Sequence, residues 1–585
     1  MNVPSILCLF PLFPLFLLLA DAGTPLGHTS DVHIPENLST RALVRDAYGY
    51  SIEPVWLNSY VNSSLMATLL QSITGITGKA PPIRIGGTTS DETYITGSLP
   101  DNATSIETTK PGTTWNVTAS WFSTFAEYFP GGTDFVYCLN FADNSSEWTN
   151  AQEQARAVWG ALGDKLVRFE LGNEVDHFIT EDWRAQGWGV REYISQFKNL
   201  TTSILNSSWY NEAGDAAPKV QAAVFADPPW VPDQQDEIDD FDIINLTRAG
   251  LVDPVHRVIE TYAVHLYPQS TCDTECWLRL RLDLLSNHTA LWLNVSQYVP
   301  QVAAADAANT SLVFGETNSV SCGGRSGISD TFGAALWSVD YVLMASSVGI
   351  PNIYFHLGAE SEYSAFTPWP YELDTETLSS GIRANFYSHY FVAKVVEGLV
   401  EGEAYGIAAV PGANTSDLSG YAIYQGDGLA KLVFLDMGVW NGTRGLSNPS
   451  TLSSTDSVAF SNGTRPTYNM TVTSPWSPGE NVSIIRLQAP GTNAKSLVNV
   501  SGVTFDTTTG EKLGFELEEY VRVGDGGVVN FRMVQAEGVL LQVSTDRTNA
   551  SEGGSSSVRS DGMANAVSRF CSLMLVLSVA LMIVG

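Results

Sequence analysis

Between Ala42 and Val396 short apolar runs take turns with segments of helical period. Strand-like runs lie at Ala42–Ile52, Ile83–Ile85, Asp134–Phe141, Leu166–Leu171, Val220–Phe225, Glu260–Tyr267, Ser311–Phe314 and Ile353–Leu357. Helix-period segments fall at Ser64–Ile76, Trp121–Phe129, Ala151–Leu162, Tyr193–Leu205, Leu278–Leu285, Phe332–Ser347 and Tyr387–Val396. Strand followed by helix, repeated about eight times, predicts parallel βαβ units closed into a (β/α)8 TIM barrel over residues 44–398. Beyond it the pattern changes. Tyr421–Tyr424, Lys431–Leu435, Val482–Leu487 and Gly538–Val543 are short alternating runs separated by Gly, Pro and Asn. They predict a C-terminal antiparallel β-sandwich over 399–546.

Both ends carry apolar segments of another kind. Ile6–Ala20, followed by Ala20-Asp21-Ala22, reads as a secretory signal peptide over 1–22. Phe570–Gly585 is a second apolar stretch with no basic stop-transfer cluster after it. With the Gly/Ser-rich linker 547–560 before it, residues 561–585 read as a glycolipid (GPI) anchor signal, and attachment is expected between Ser555 and Ser560. Asn-x-Ser/Thr sequons, among them Asn37, Asn62, Asn116, Asn199, Asn245, Asn309, Asn414 and Asn481, predict N-glycans on a secreted or cell-surface chain.

With Cys8 and Cys571 in segments expected to be removed, Cys138, Cys272, Cys276 and Cys322 remain. Cys138 lies in an apolar strand and reads as a buried thiol. For the others, Cys322 with Cys272 or Cys276, and the local Cys272–Cys276 pair, are all open. No histidine has metal-site spacing from them, so neither zinc nor a cofactor is called for. The formal charge of −32, from 30 basic and 62 acidic residues, makes nucleic acid and densely sulfated glycans poor partners. Nothing implies an obligate protein partner.

The candidate chemistry sits at two strand ends. Leu166–Leu171 runs into Gly172-Asn173-Glu174, and Ser311–Phe314 into Gly315-Glu316. One carboxylate at a strand end reads as a surface group. Two of them, at the end of a barrel where such enzymes keep their chemistry, suit glycoside cleavage. Asn173 is placed to bond a sugar hydroxyl. His265 and Tyr267 end another strand; the tyrosine hydroxyl can orient a nucleophile, and the histidine is equally a ligand or a satisfied core residue. Arg84 and Asp91 flank the turn Gly86-Gly87, which is either a tight bend or a cleft wall, and Asn140 ends the next strand.

Phe169-Glu170-Leu171-Gly172-Asn173-Glu174 resembles the acid/base motif of glycoside hydrolase family 79, the family of heparanase and the β-glucuronidases. Gly315-Glu316-Thr317-Asn318-Ser319, continuing to Gly323-Gly324 and Ser329-Asp330-Thr331-Phe332, resembles its nucleophile motif. Arg84-Ile85-Gly86-Gly87-Thr88 with Asp91 is similar to its early substrate-binding turn, and Phe355-His356-Leu357 to its last strand. The resemblance implies a retaining mechanism with Glu174 as acid/base and Glu316 as nucleophile, and Asp91 and Asn173 on sugar hydroxyls. It also implies a uronate carboxylate held by backbone N–H groups at Cys322-Gly323-Gly324, and residues 23–43 joining the sandwich. A disulfide at Cys322 would brace that turn. Two tyrosines of the pattern are replaced, by Ser321 and Phe355.

The expected activity is therefore an exo-acting β-glucuronidase. Its substrate would be terminal (4-O-methyl-)glucuronate on cell-wall or arabinogalactan-type glycans. The replaced tyrosines leave open a β-glycosidase for a neutral sugar. A catalytically silent, glycan-binding wall glycoprotein is the alternative from another class.

Overall fold

A computed structural model of the chain describes residues 29–96, 114–123, 126–143, 147–227, 241–272, 279–373, 376–400, 402–441, 461 and 463–543. The expected signal peptide, linker and anchor segment, and Cys276, lie outside the described residues.

Eight parallel strands close into a barrel. In chain order they are β1 (Tyr48–Ile52), β2 (Ile83–Ile85), β3 (Phe135–Leu139), β4 (Leu166–Leu171), β5 (Lys219–Phe225), β6 (Ile259–Leu266), β7 (Ser311–Thr317) and β8 (Ile353–His356). Each pairs with its neighbour in sequence, and β8 returns to β1. Most strand positions are buried on both faces, inward against the opposite wall and outward against helices, which is why the runs are nearly continuous in apolar residues. The barrel is an (β/α)8 TIM barrel.

Several boundaries move. Ala42–Ile52 is two strands, Arg41–Ala42 and β1, separated by a turn. The expected helix Trp121–Phe129 is two 3-10 turns, Ala119–Ser123 and Ala126–Tyr128. Trp121 and Phe122 are buried there as local plugs rather than as one helical stripe. The helix expected over Leu278–Leu285 is the single turn Leu282–Leu285.

The second layer system comprises β9 (Tyr405–Asn414), β10 (Leu418–Gln425), β11 (Gly428–Asp436), β12 (Thr467–Thr473), β13 (Asn481–Gln488), β14 (Val528–Val534) and β15 (Glu537–Val543). Strands β9, β10, β11, β15 and β13 form the body of one sheet, with Arg41–Ala42 at its edge; β12 and β14 form the other with Thr29–His33. Thr29–His33 pairs parallel to β12, the exception in an otherwise antiparallel sandwich.

Alternation along the large sheet sorts its side chains. Ala422, Leu432, Phe434, Ile484 and Leu541 pack against Val32, Val472, Val529 and Phe531 of the small sheet. Their neighbours Tyr421, Ile423, Val433, Leu435, Ile485 and Leu540 join the core of the barrel. The helix Phe332–Val348 is buried nearly all round, as its even apolar content requires. Within it Asp340 accepts from the Tyr421 hydroxyl and from Nδ1 of His288. Lys431 of β11 donates to the carbonyls of Val395 (2.8 Å) and Glu397 (2.6 Å), capping the helix Ala384–Val396. Barrel and sandwich thus share one core and a set of buried polar ties.

Candidate active site

The site is built on Arg84, in the middle of β2 and fully buried. Its five N–H donors make five bonds. Nε and one terminal nitrogen reach Glu170 Oε1 (2.9 and 2.5 Å), and that terminal nitrogen also reaches Asn173 Oδ1 (2.8 Å). The other terminal nitrogen donates to Ser51 Oγ (2.9 Å) and Glu316 Oε2 (2.7 Å). Arg84 folds back over Gly86 to do so: a Cβ there would lie 2.5 Å from the guanidinium carbon. Glu170 is completed by Gln221, whose Nε2 lies 2.5 Å from Oε2.

Glu316, at the end of β7, has both oxygens engaged. Oε2 faces Arg84 and, at 3.4 Å, Nδ1 of His356; Oε1 accepts the Tyr267 hydroxyl at 2.8 Å. Burial alone would raise its pKa, but His356, His265, Arg84 and the Tyr267 hydroxyl outweigh it and hold the carboxyl down to about 2. It is an anion at every ordinary pH. Glu174 follows β4 through Gly172, where a Cβ would meet Val175 at 2.8 Å and Phe141 at 2.9 Å, and itself takes a left-handed φ of 50°. Its Oε1 accepts from His265 Nδ1 at 2.9 Å, and its Oε2 lies 3.8 Å from His177. A carboxylate oxygen from each glutamate and a ring nitrogen of His265 lie within 4.8 Å of one another.

Around this pair are groups that sequence reasoning did not single out. His356 is the last residue of β8, inside the Phe355-His356-Leu357 motif. Glu53, just past β1, accepts from Thr89 and lies 4.0 Å from His356, and burial raises its pKa first of all. His177 bonds Asp227 Oδ2 at 3.1 Å; burial would lower its pKa, but Asp227, Asp176 and Glu174 carry it to about 10. The sequence signal for His177 was its place one helical turn beyond Glu174. Asp176, His177 and Asp227 also cluster within 4.8 Å. In the first cluster Glu316 is engaged by Arg84 and Tyr267, and in the second Asp176 by the backbone N–H groups of Ala226 and Asp227.

Two sequence expectations are corrected. Asp91 is 2% exposed, and its Oδ1 accepts from the N–H groups of Phe141 and Ala142 and its Oδ2 from that of Asn173, so the carboxyl is committed to three backbone groups rather than to a sugar hydroxyl. Asn140 is likewise buried, donating to the Thr93 carbonyl and accepting from the Asp143 N–H. Asn173 gives its side-chain oxygen to Arg84 and keeps its amide N–H2 free among the described residues.

The Ser321–Gly324 turn lies on the same barrel face. Cys272 and Cys322 form a disulfide with Cα atoms 5.9 Å apart. Thr271 donates to the carbonyls of Ser321 and Cys322, and Cys322, Gly323 and Gly324 all have left-handed φ (62°, 92° and 92°). Among the described residues the N–H groups of Gly323 and Gly324 donate to no protein acceptor. The turn abuts Glu362 and Tyr363, and the Tyr363 ring stands beside Tyr267 and His356. Phe355 packs outward on Trp337, Tyr341 and His389. A tyrosine hydroxyl there would not reach the cleft, so Phe355 removes nothing from it. Cys138 is a free, buried thiol whose pKa burial raises.

Fold and site together define a barrel glycosidase with an appended β-sandwich. Residues 420–540 match the glycosyl hydrolase family 79 C-terminal beta domain. A beta-glucuronidase of Neurospora crassa is 28% identical over 504 residues, 79% of this chain and 84% of that protein. One of Aspergillus niger is 27% identical over 502 residues, 81% and 85% respectively. Among solved structures, a 4-O-alpha-L-rhamnosyl-beta-D-glucuronidase from Fusarium oxysporum 12S superposes with a TM-score of 0.69 at 23% identity, over 88% of this chain and 100% of that one. A GH51 arabinofuranosidase from Xanthomonas axonopodis pv. citri gives 0.54 at 12% identity, over 88% and 99%. The chain carries the C-terminal β domain of glycoside hydrolase family 79 and is similar to beta-glucuronidases over most of its length.

Proposed function

We propose that this glycosidase is an exo-acting β-glucuronidase that retains configuration, with Glu316 as nucleophile and Glu174 as acid/base. The observation that carries the reading is the approach of the two carboxylates to within 4.8 Å. Retaining enzymes hold them about 5–5.5 Å apart, whereas inverting ones need about 6.5–9.5 Å for a water. Glu316, kept anionic and oriented by Arg84 and Tyr267, attacks the anomeric carbon as Glu174 protonates the leaving oxygen. In the second step Glu174 takes a proton from water, which attacks the glycosyl–Glu316 ester from the other side. His265 fixes one oxygen of Glu174 and leaves the other for the proton. The free Asn173 amide suits a hydroxyl beside the reacting carbon.

Glucuronate is favoured by the turn. The free N–H groups of Gly323 and Gly324 suit a carboxylate, with Ser321 and Cys322 shaping the turn and the Tyr363 hydroxyl in place of the replaced tyrosine. The two beta-glucuronidase relatives, alike over most of the chain, support the same sugar. With a formal charge of −32, a terminal uronate on a mostly neutral arabinogalactan-type glycan suits the surface better than a sulfated polymer. The reading includes secretion, N-glycosylation and a glycolipid anchor, carried by the sequence alone. Asn245 is excluded as a glycan site, since it is buried and bonded to Asp242.

Release of aryl alcohol from aryl β-glucuronide and aryl β-glucoside, with NMR of the first-formed anomer, tests the proposal. A strong preference for the glucuronide with β-glucuronate formed first is expected. α-Glucuronate as first product would overturn retention, and a preference for the glucoside would overturn the sugar assignment.

A further inference from the structure

A general acid must stay where the leaving oxygen will be, and a misplacement of about 1 Å can cost about 100-fold. Glu174 nevertheless sits beyond its strand in a left-handed turn. What fixes that turn lies on two other loops. Asp91, in the turn after β2, accepts from the N–H groups of Phe141 (2.7 Å) and Ala142 (3.0 Å) in the loop after β3. Its other oxygen accepts from the N–H of Asn173 (2.7 Å), the residue before Glu174. Arg184, in the loop after β4, grips the same segment from the opposite side. It donates to the carbonyls of Phe141 (2.6 Å) and Ala142 (3.0 Å). The peptide between Phe141 and Ala142 is thus held by a carboxylate on its N–H and a guanidinium on its C=O. The guanidinium is boxed in by the rings of Phe141, Trp148, Phe178 and Trp188, 5.2–6.0 Å from their centres.

We infer that Asp91 is a positioning residue for Glu174 and not a sugar ligand: with Arg184 as counter-clamp it ties three loops into the support of the acid/base. This rests on the assignment of Glu174 proposed above.

The test uses the full chain and two glucuronides, one with a poor leaving group (phenyl) and one with a good one (2,4-dinitrophenyl), with Glu174→Ala as reference. Asp91→Asn keeps size but turns an N–H2 toward backbone donors. On the phenyl glucuronide kcat/KM is expected to fall about 100-fold, and on the dinitrophenyl glucuronide, which needs no protonation, by less than about 5-fold. Azide, which needs no base, should restore turnover of the activated substrate. An equal loss on both, carried by KM, is the mark of a sugar ligand and would overturn the inference. If Glu174→Ala is selective for the poor leaving group and Asp91→Asn is not, the inference fails alone. If Glu174→Ala is not selective either, the acid/base assignment falls and takes this one with it. Should Asp91→Asn be unfolded at assay temperature, Arg184→Lys, which loses the fork onto two carbonyls, must show the same selectivity or the inference fails.

Discussion

At the scale of single residues the site is a charge balance around one guanidinium. Arg84 neutralises Glu316 while its other arm holds Glu170 and Asn173, so Glu316 and the strand that leads to Glu174 are set by the same side chain. Tyr267 supplies the remaining donor to Glu316, and burial together with that anion keeps its own pKa well above the usual phenol value. Tyr267→Phe should lower kcat/KM roughly 10- to 100-fold, the worth of a hydrogen bond to a charged group. The hydroxyl stabilises the anion, so its loss raises the Glu316 pKa from about 2, and the acid limb of kcat/KM must move to higher pH. An unmoved acid limb would show that Tyr267 does not act on Glu316. Residue type and strand-end position made Glu174, Glu316, Asn173 and Tyr267 legible from sequence. Asp91 and Asn140 differ from the expectation because their partners are backbone groups, of other loops for Asp91 and of another loop and its own for Asn140, which no side-chain pattern encodes. Glu53, His177 and His356 matter through what they face, and facing is settled only when the barrel closes.

Among elements, the eight strands were readable because each is a short apolar run buried on both sides and bounded by a turn. The segment Trp121–Phe129 departs from this: Trp121 and Phe122, with ring centres 5.1 Å apart, are buried side by side from a 3-10 turn, while Tyr128 is exposed. Strands β9, β12 and β14 went unnoticed, their alternation being diluted by Pro, Gly, Asn and Arg. The disulfide could be narrowed to three pairings and no further, since distance between loops decides it. Cys272–Cys322 closes a sequence separation of 50 residues and pins the turn that carries Gly323 and Gly324. Cys272→Ser should destabilise the chain by about 2–4 kcal/mol. On the proposed role of the turn in holding the uronate carboxylate, it should also raise KM for an aryl glucuronide more than it lowers kcat. Thermal unfolding and steady-state kinetics check the two parts. A loss confined to kcat would detach the turn from carboxylate binding.

Over the whole molecule, a barrel and a sandwich share a core, and acidic groups outnumber basic ones 62 to 30. The pH dependence of stability follows from how the fold treats its titratable groups. Burial pushes Glu362 and Asp91 up to about 7 and Asp436 up to about 6, and burial with Asp227 nearby brings Asp176 to about 6. From the ordinary carboxylate range of about 4 up to those values, the folded chain holds protons that the unfolded chain has released, so stability falls as pH rises. His177, at about 10, has the same sign: its contribution is complete below about 6.5 and is lost as pH climbs through 10. On the acid side buried His389 and Glu316 oppose this. His389, pushed down to about 3 by burial, resists a proton that the unfolded chain accepts below about 6.5. Glu316, at about 2, loses its stabilisation as pH drops below about 4. Four carboxyls and His177 outweigh one histidine between pH 8 and 5, and relief of self-repulsion adds to them. Calorimetry across that range should find a melting temperature a few degrees higher near pH 5 than at pH 8, with a decline below about pH 4. A flat profile, or greater stability at pH 8, would mean that these buried acids are already ionised in the folded chain.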